Sequence, residues 1–94
     1  MEDLLNELLG PSINILVLDL FLEEPCQWMN LREIARRVGK SPGSISRVIK
    51  KLLEKGLVLD CKVGKVSVVY QLNERSEKVQ ALMTLRNTLK KRGQ

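Results

Sequence analysis

The sequence predicts a single domain of α+β class, mainly helical, in which amphipathic helices lead into a β-hairpin and then into a last helix. Three observations carry this. Apolar residues recur with the helical period up to residue 55. The period then drops to two between residues 57 and 72. From residue 73 the helical period returns. Ninety-four residues are enough for one core and one domain.

Residues 1–9 place Leu4, Leu5, Leu8 and Leu9 at helical spacing, and Gly10-Pro11 interrupts them, so residues 1–12 form a short helical extension with an apolar stripe. Ser12 is a good N-cap for a helix over residues 12–24. Ile13, Leu16, Val17, Leu20 and Phe21 give it a core face, while Ile15, Leu18 and Leu22 form a second apolar strip. Pro25 ends it. Asn30 caps a helix of about eight residues and has Glu33 at the capping-box position. Leu31, Ile34, Ala35 and Val38 are its core stripe, and Gly39 closes it. Ser41-Pro42 then opens a further helix as N-cap and first helical residue. Its core stripe is Ile45, Val48, Ile49, Leu52 and Leu53, and Gly56 stops it. Beyond it, Leu57, Leu59, Cys61 and Val63 alternate with Val58, Asp60 and Lys62. Gly64-Lys65 reads as a two-residue hairpin turn, and Val66, Val68, Tyr70 and Leu72 alternate on the return. A last helix over about 74–91 sets Val79, Leu82, Met83, Leu85 and Leu89 on one broad side, with no obvious partner inside so small a domain.

Charge is segregated along the chain. The net charge is +5, yet the first thirty residues hold six acids and no Lys or Arg. Residues 31–72 hold ten basic residues and three acids, and residues 73–94 hold six and two. Such a distribution points to a polyanionic partner. Three aromatics, Phe21, Trp28 and Tyr70, are too few for single-stranded nucleic acid held by base stacking. Without histidine, neither a His-dependent zinc site nor a His general base exists. Cys26 and Cys61 read as buried or half-buried small hydrophobes, and Trp28 as a cover on the core. The acidic start is wrong for a signal peptide and no apolar run spans a bilayer, so a soluble cytoplasmic protein away from membranes is expected.

The stretch NLREIARRVGKSPGSISRVIKKLLEKGLV, residues 30–58, resembles the core of the MarR and ArsR families and related archaeal and bacterial transcription regulators. Leu31, Glu33, Ile34, Ala35, Val38 and Gly39 match the first helix of their pattern. Ser41, Ser44, Ile45, Ser46, Ile49, Leu52, Gly56, Leu57 and Val58 match the second. The likeness covers residues 13–72. It implies a winged helix-turn-helix: residues 1–12 an N-terminal helical extension, 13–72 the DNA-binding domain and 73–94 a C-terminal dimerisation helix.

The resemblance also implies a homodimer on double-stranded DNA, with the helix over about 42–55 in a major groove and the wing over about 57–72 on flanking DNA. Pro42, Gly43, Ser44 and Ser46 supply low bulk where that helix meets bases, and Arg47 one turn on is placed to fork onto a guanine. Lys50 and Lys51 suit phosphates, as do Arg32, Arg36, Arg37 and Lys40 before the helix. Ser41 and the helix N-terminus suit a phosphate through free backbone N–H groups. Lys62 and Lys65 on the wing reach a flanking minor groove or backbone. The dimer interface is expected from Leu4, Leu5, Leu8, Leu9, Ile15, Leu18, Leu22, Val79, Leu82, Met83, Leu85 and Leu89. No cofactor or metal and no enzymatic activity is expected. An architectural DNA-binding protein and a protein-interaction adaptor of the same fold are the competing readings.

Overall fold

The computed structural model of the protein describes residues 13–92. Helix α1 (Ile13–Glu23) is followed by a two-residue strand β1 (Met29–Asn30), helix α2 (Leu31–Val38) and helix α3 (Pro42–Glu54). Strands β2 (Val58–Val63) and β3 (Ser67–Leu72) and helix α4 (Glu77–Arg92) complete the chain. The expected extension over residues 1–12, with its four leucines and Ser12, lies outside the described residues.

Local chemistry sets the helix ends. The Asn30 side chain accepts the Glu33 N–H at 2.8 Å. Glu33 was expected to reach back to Asn30, but its carboxylate instead lies 3.8 Å from Arg37, one turn on. Gly39, at φ +78°, ends α2 in the left-handed region and donates its N–H to the Ala35 carbonyl. At the end of α3, the Leu57 N–H bonds to the Leu52 carbonyl and the Gly56 N–H to the Leu53 carbonyl. With Gly56 at φ +72°, this is the paired closure that turns a helix sharply into a strand.

The three strands form an antiparallel sheet in the order β1-β3-β2. The register pairs Val58 with Leu72 at the base of the hairpin and Val63 with Ser67 at its end. Gly64, Lys65 and Val66 are therefore a three-residue loop, not the two-residue turn expected, with Gly64 at φ +67°. The alternation misled for a physical reason. Only Val58 and Leu72 are fully buried in the hairpin; β2 is exposed past Val58, while β3 is half-buried from Val68 to Gln71 with Tyr70 on the core, so burial does not alternate along either strand. Leu59, Cys61 and Val63, which alternate with Val58, Asp60 and Lys62 in the sequence, are all exposed. β1 was not anticipated, because two residues carry no period, yet its Met29 is fully buried.

The core gathers Val17, Leu20 and Phe21 of α1, Ile34 and Ala35 of α2, Ile45, Val48, Ile49 and Leu52 of α3, then Met29, Leu57, Val58, Leu72 and Val79. Leu16, expected in the core, is exposed, so the face that packs is narrower than the sequence implied. Trp28 is exposed too, and so are both cysteines, against expectation. Cys26 sits in the turn after α1 and Cys61 on the projecting part of the wing, where packing does not reach.

The largest departure is α4. It starts at Glu77, after a turn in which the Asn73 side chain accepts the Arg75 N–H and Ser76 caps the helix. Its first turns belong to the core, since Val79 is 0% exposed and Met83 packs against the same cluster. Two turns on, Arg86 bridges to Asp19 at 3.2 Å and to Glu23 at 3.6 Å, pinning α4 to α1. Val79 therefore works as a core residue of its own chain, which accounts for its place in the apolar stripe. Among the described residues, no helix is long and apolar enough to cross a membrane.

Candidate nucleic-acid interface

Helix α3 lies with one side in the core, packed on α1 and α2, and that burial decides which side it shows. At about 3.6 residues per turn, Gly43, Ser46, Arg47, Lys50 and Glu54 fall on one narrow face, opposite Ile45, Val48, Ile49 and Leu52. All five are exposed. Lys51 is exposed on the flank of that face. The face begins with no bulk, continues through a hydroxyl to a guanidinium and an ammonium, and ends on a carboxylate. Glu54 repels phosphate, so a polyanion is accepted along the first three turns only.

The start of α3 is fully accounted for, donor by donor. Pro42 has no N–H. The Ser44 N–H goes to the Ser41 hydroxyl at 3.3 Å, and the Ile45 N–H to the Ser41 carbonyl at 3.1 Å. The Ser41 hydroxyl in turn donates to the Ser44 hydroxyl at 3.0 Å. Ser41 and half-buried Ser44 are thus occupied as a cap, whatever else they do. Of the first-turn donors expected to be free, the Gly43 N–H remains. A Cβ built on Gly43 meets nothing within 4 Å, and no positive φ applies there. Nothing inside the protein requires glycine at this position. The space over Gly43 is open to whatever approaches from outside.

Around α3 the expected basic residues divide. Arg32, Arg36 and Lys40 are exposed. Arg37 is not available in the same way: its guanidinium is hydrogen-bonded and ion-paired to Glu24, lies near Glu33, and touches the Met29 sulfur at 3.6 Å. The hydrogen bond from Arg37 holds the Glu24 carboxyl below the usual glutamate range, against a smaller opposing effect of desolvation. The same bond to Glu24 raises Arg37 above the ordinary guanidinium value. Arg37 ties the turn after α1 to α2, a role invisible in sequence because Glu24 is thirteen positions away. Lys62 and Lys65 are exposed on the wing.

The fold that presents this face is shared with known proteins. Residues 13–58 match the family model described as winged helix-turn-helix DNA-binding. The chain has a winged helix-turn-helix fold. Its hairpin β2–β3 is the wing, and its architecture is the winged helix that the motif in residues 30–58 implied. A possible transcriptional regulator from Methanosarcina mazei Go1 is 18% identical, with a TM-score of 0.70, over 98% of this chain and 82% of its own. The homodimeric winged helix-turn-helix DNA-binding domain of Mb0332 from Mycobacterium bovis, a possible ArsR-family transcriptional regulator, is 21% identical. Its TM-score is 0.64, over 92% of this chain and 74% of its own. Wild-type ZitR from Lactococcus lactis, solved in complex with DNA, is 20% identical with a TM-score of 0.59, over 83% of this chain. The chain spans 56% of that ZitR structure, and about half of other ZitR and PcaV structures that it resembles. At these identities the likeness is one of fold. No curated protein matches the sequence.

Of the residues expected at a dimer interface, Leu85 is 55% and Leu89 60% exposed, on the distal half of α4. Ile15, Leu18, Leu22, Leu82 and Met83 are half-buried, with Leu22 and Met83 already packed on the core. Leu82 and Leu85 also line a shallow groove of about 520 Å³ with Lys55, Leu57, Lys78 and Ala81.

Proposed function

We propose that the protein is a transcription regulator that binds double-stranded DNA sequence-specifically as a homodimer. The observation that carries this reading is the exposed face of α3. It offers a free N–H and open space at Gly43, then Ser46, Arg47 and Lys50, with no acid before Glu54. A helix of this kind enters a major groove by its N-terminal turns. There Arg47 forks onto a guanine, and the Gly43 N–H and Lys50 take phosphates. Pro42 and Ser46 keep bulk low beside the bases, Ser41 and Ser44 hold the helix start rigid, and Lys51 reaches phosphate from the flank. Arg32, Arg36 and Lys40 add phosphate contacts from α2 and its turn, and Lys62 and Lys65 from the wing. Arg37 contributes through its ion pairs to the stability of α2.

The dimer rests on the exposed distal half of α4, with Leu85 and Leu89, together with Leu82, Ile15 and Leu18 and the leucines of residues 1–12. Those segments flank the DNA-binding unit of residues 13–72, although α4 is rooted in that unit's core through Val79. A cytoplasmic location at the nucleoid follows from the function. The test is duplex binding by the intact chain at several salt concentrations with random-sequence competitor, alongside light scattering. Salt-dependent binding that survives competitor, by a particle of twice the chain mass, is expected. Equal affinity for every sequence supports an architectural protein instead. Absence of salt-dependent binding supports a protein-interaction adaptor, and a 10.7 kDa monomer at micromolar concentration refutes the dimer.

A further inference from the structure

The wing carries a residue that its basic character does not explain. Val66 stands in the three-residue loop Gly64-Lys65-Val66 and is 90% exposed, the most exposed large hydrophobic residue among the described residues. At that exposure it buries almost no surface against the described residues, so it adds little to their packing. Positive φ in this loop is confined to Gly64, so Val66 sits in ordinary backbone as a stiff β-branched side chain with little rotamer freedom to lose on contact. Its neighbour Val63, at the end of β2, is also exposed, and Lys62 and Lys65 are exposed around the same apex. From Cys61 to Leu72 the hairpin has no acidic residue. The apex is therefore an apolar point with cationic flanks, on a hairpin that projects from the core.

We propose that Val66 is a specificity-determining residue that meets the floor of the minor groove flanking the α3 site and discriminates against guanine there. This deepens the proposed function and rests on it. The chemistry of the occupant decides the case. Lys62 and Lys65 draw the apex to a polyanion, and a narrow A·T minor groove has the most negative potential. On the groove floor an A·T pair shows small acceptors and the adenine C2–H. A G·C pair adds the guanine N2 amino group, which occupies space and needs a hydrogen-bond acceptor. A valine can offer that amino group neither room nor an acceptor. Burying the donor against the methyl groups leaves it unsatisfied, whereas the C2–H of adenine makes van der Waals contact.

The experiment uses the full chain and a duplex that it binds, with each flanking base pair outside the α3 contact changed in turn to A·T, G·C or inosine·C. Inosine lacks the N2 amino group but keeps the major-groove face of guanine. Wild-type protein is expected to bind the A·T and inosine·C duplexes about tenfold tighter than the G·C duplex at one flanking position. Val66→Ala, which removes two methyl groups from the contact, is expected to weaken binding to the A·T duplex about tenfold and to abolish the preference. Val66→Thr, isosteric but carrying a hydroxyl, is expected to recover affinity for the G·C duplex relative to wild type. Thermal midpoints of both variants should match wild type, since the side chain is exposed. Equal wild-type binding to the three duplexes at every flank overturns the inference while leaving the DNA-binding reading intact. A preference that persists in Val66→Ala overturns it as well. Failure of the wild-type chain to bind any duplex overturns the DNA-binding reading, and the inference with it.

Discussion

Gly43→Ala separates what the fold needs from what the DNA needs. The new methyl group meets nothing within 4 Å, and the backbone there is not in the left-handed region. Inside the protein the substitution can only help. Alanine restricts the unfolded chain and suits a helix better, which is worth about 0.4–1 kcal/mol. For a domain of this size that raises the melting temperature by a few degrees, taking about 4–8 °C per kcal/mol. Toward DNA the sign reverses. The Gly43 N–H is the first-turn donor of α3 left without a partner, and a hydrogen bond from it to a phosphate is worth about 1.5–3 kcal/mol. A methyl group in the space above it holds the phosphate off. Losing half of that bond weakens binding about three- to tenfold. The assay pairs thermal unfolding by circular dichroism with duplex titration by fluorescence anisotropy. A more stable protein that binds DNA about three- to tenfold more weakly is the expected outcome. A variant that binds as well as wild type refutes the close approach at Gly43.

Further substitutions address the other parts of the account. Arg47→Ala should cost about 1–3 kcal/mol and relax selection at one base pair in a competition assay. Lys50→Ala should instead weaken all duplexes alike and reduce the slope of log affinity against log salt by about one. Glu24→Gln tests the tie between the α1 turn and α2. Because Arg37 holds the Glu24 carboxyl below its ordinary value, the stabilisation is present above the ordinary glutamate range and is lost as pH falls through the lowered value. Melting temperatures of wild type and Glu24→Gln should therefore differ at neutral pH and converge in acid; a constant gap would contradict the pairing. Val79→Ala should destabilise the fold by about 2 kcal/mol in chemical denaturation, as a buried truncation does, while Leu89→Ala should leave the fold intact and weaken only the dimer in light scattering.

Helices α2 and α3 were legible because their boundaries are written in adjacent residues. Asn30, Gly39, Ser41-Pro42 and Gly56 each act within four positions of the end they set. Their apolar stripes were legible for a related reason: Ile34, Ile45 and Ile49 face a core that surrounds them. Where burial does not sort residues, the pattern failed. On the projecting wing, Leu59 and Val63 alternate without an inside to face, so the loop was drawn one residue short and Val66 was read as strand. Long-range partners were the other blind spot. No local signal shows that Arg37 belongs to Glu24, that Arg86 belongs to Asp19, or that Val79 closes the core. Gly43, Ser46, Arg47, Lys50, Lys51 and Glu54 are exposed as the sequence implied, but Ser44 is half-buried, and its bonding with Ser41 could be seen only in three dimensions. That bonding narrows the free donors of the first turn to the one on Gly43.

The central claim is that α3 reads base sequence, once per protomer, in a symmetric dimer. Selection of bound duplexes from a random pool tests it most directly. The account predicts enrichment of an inverted repeat whose half-sites lie about 10 base pairs apart, centre to centre, with a guanine in each half that Arg47→Ala ceases to select. A pool that stays random after repeated rounds, although the protein retains DNA, would contradict it.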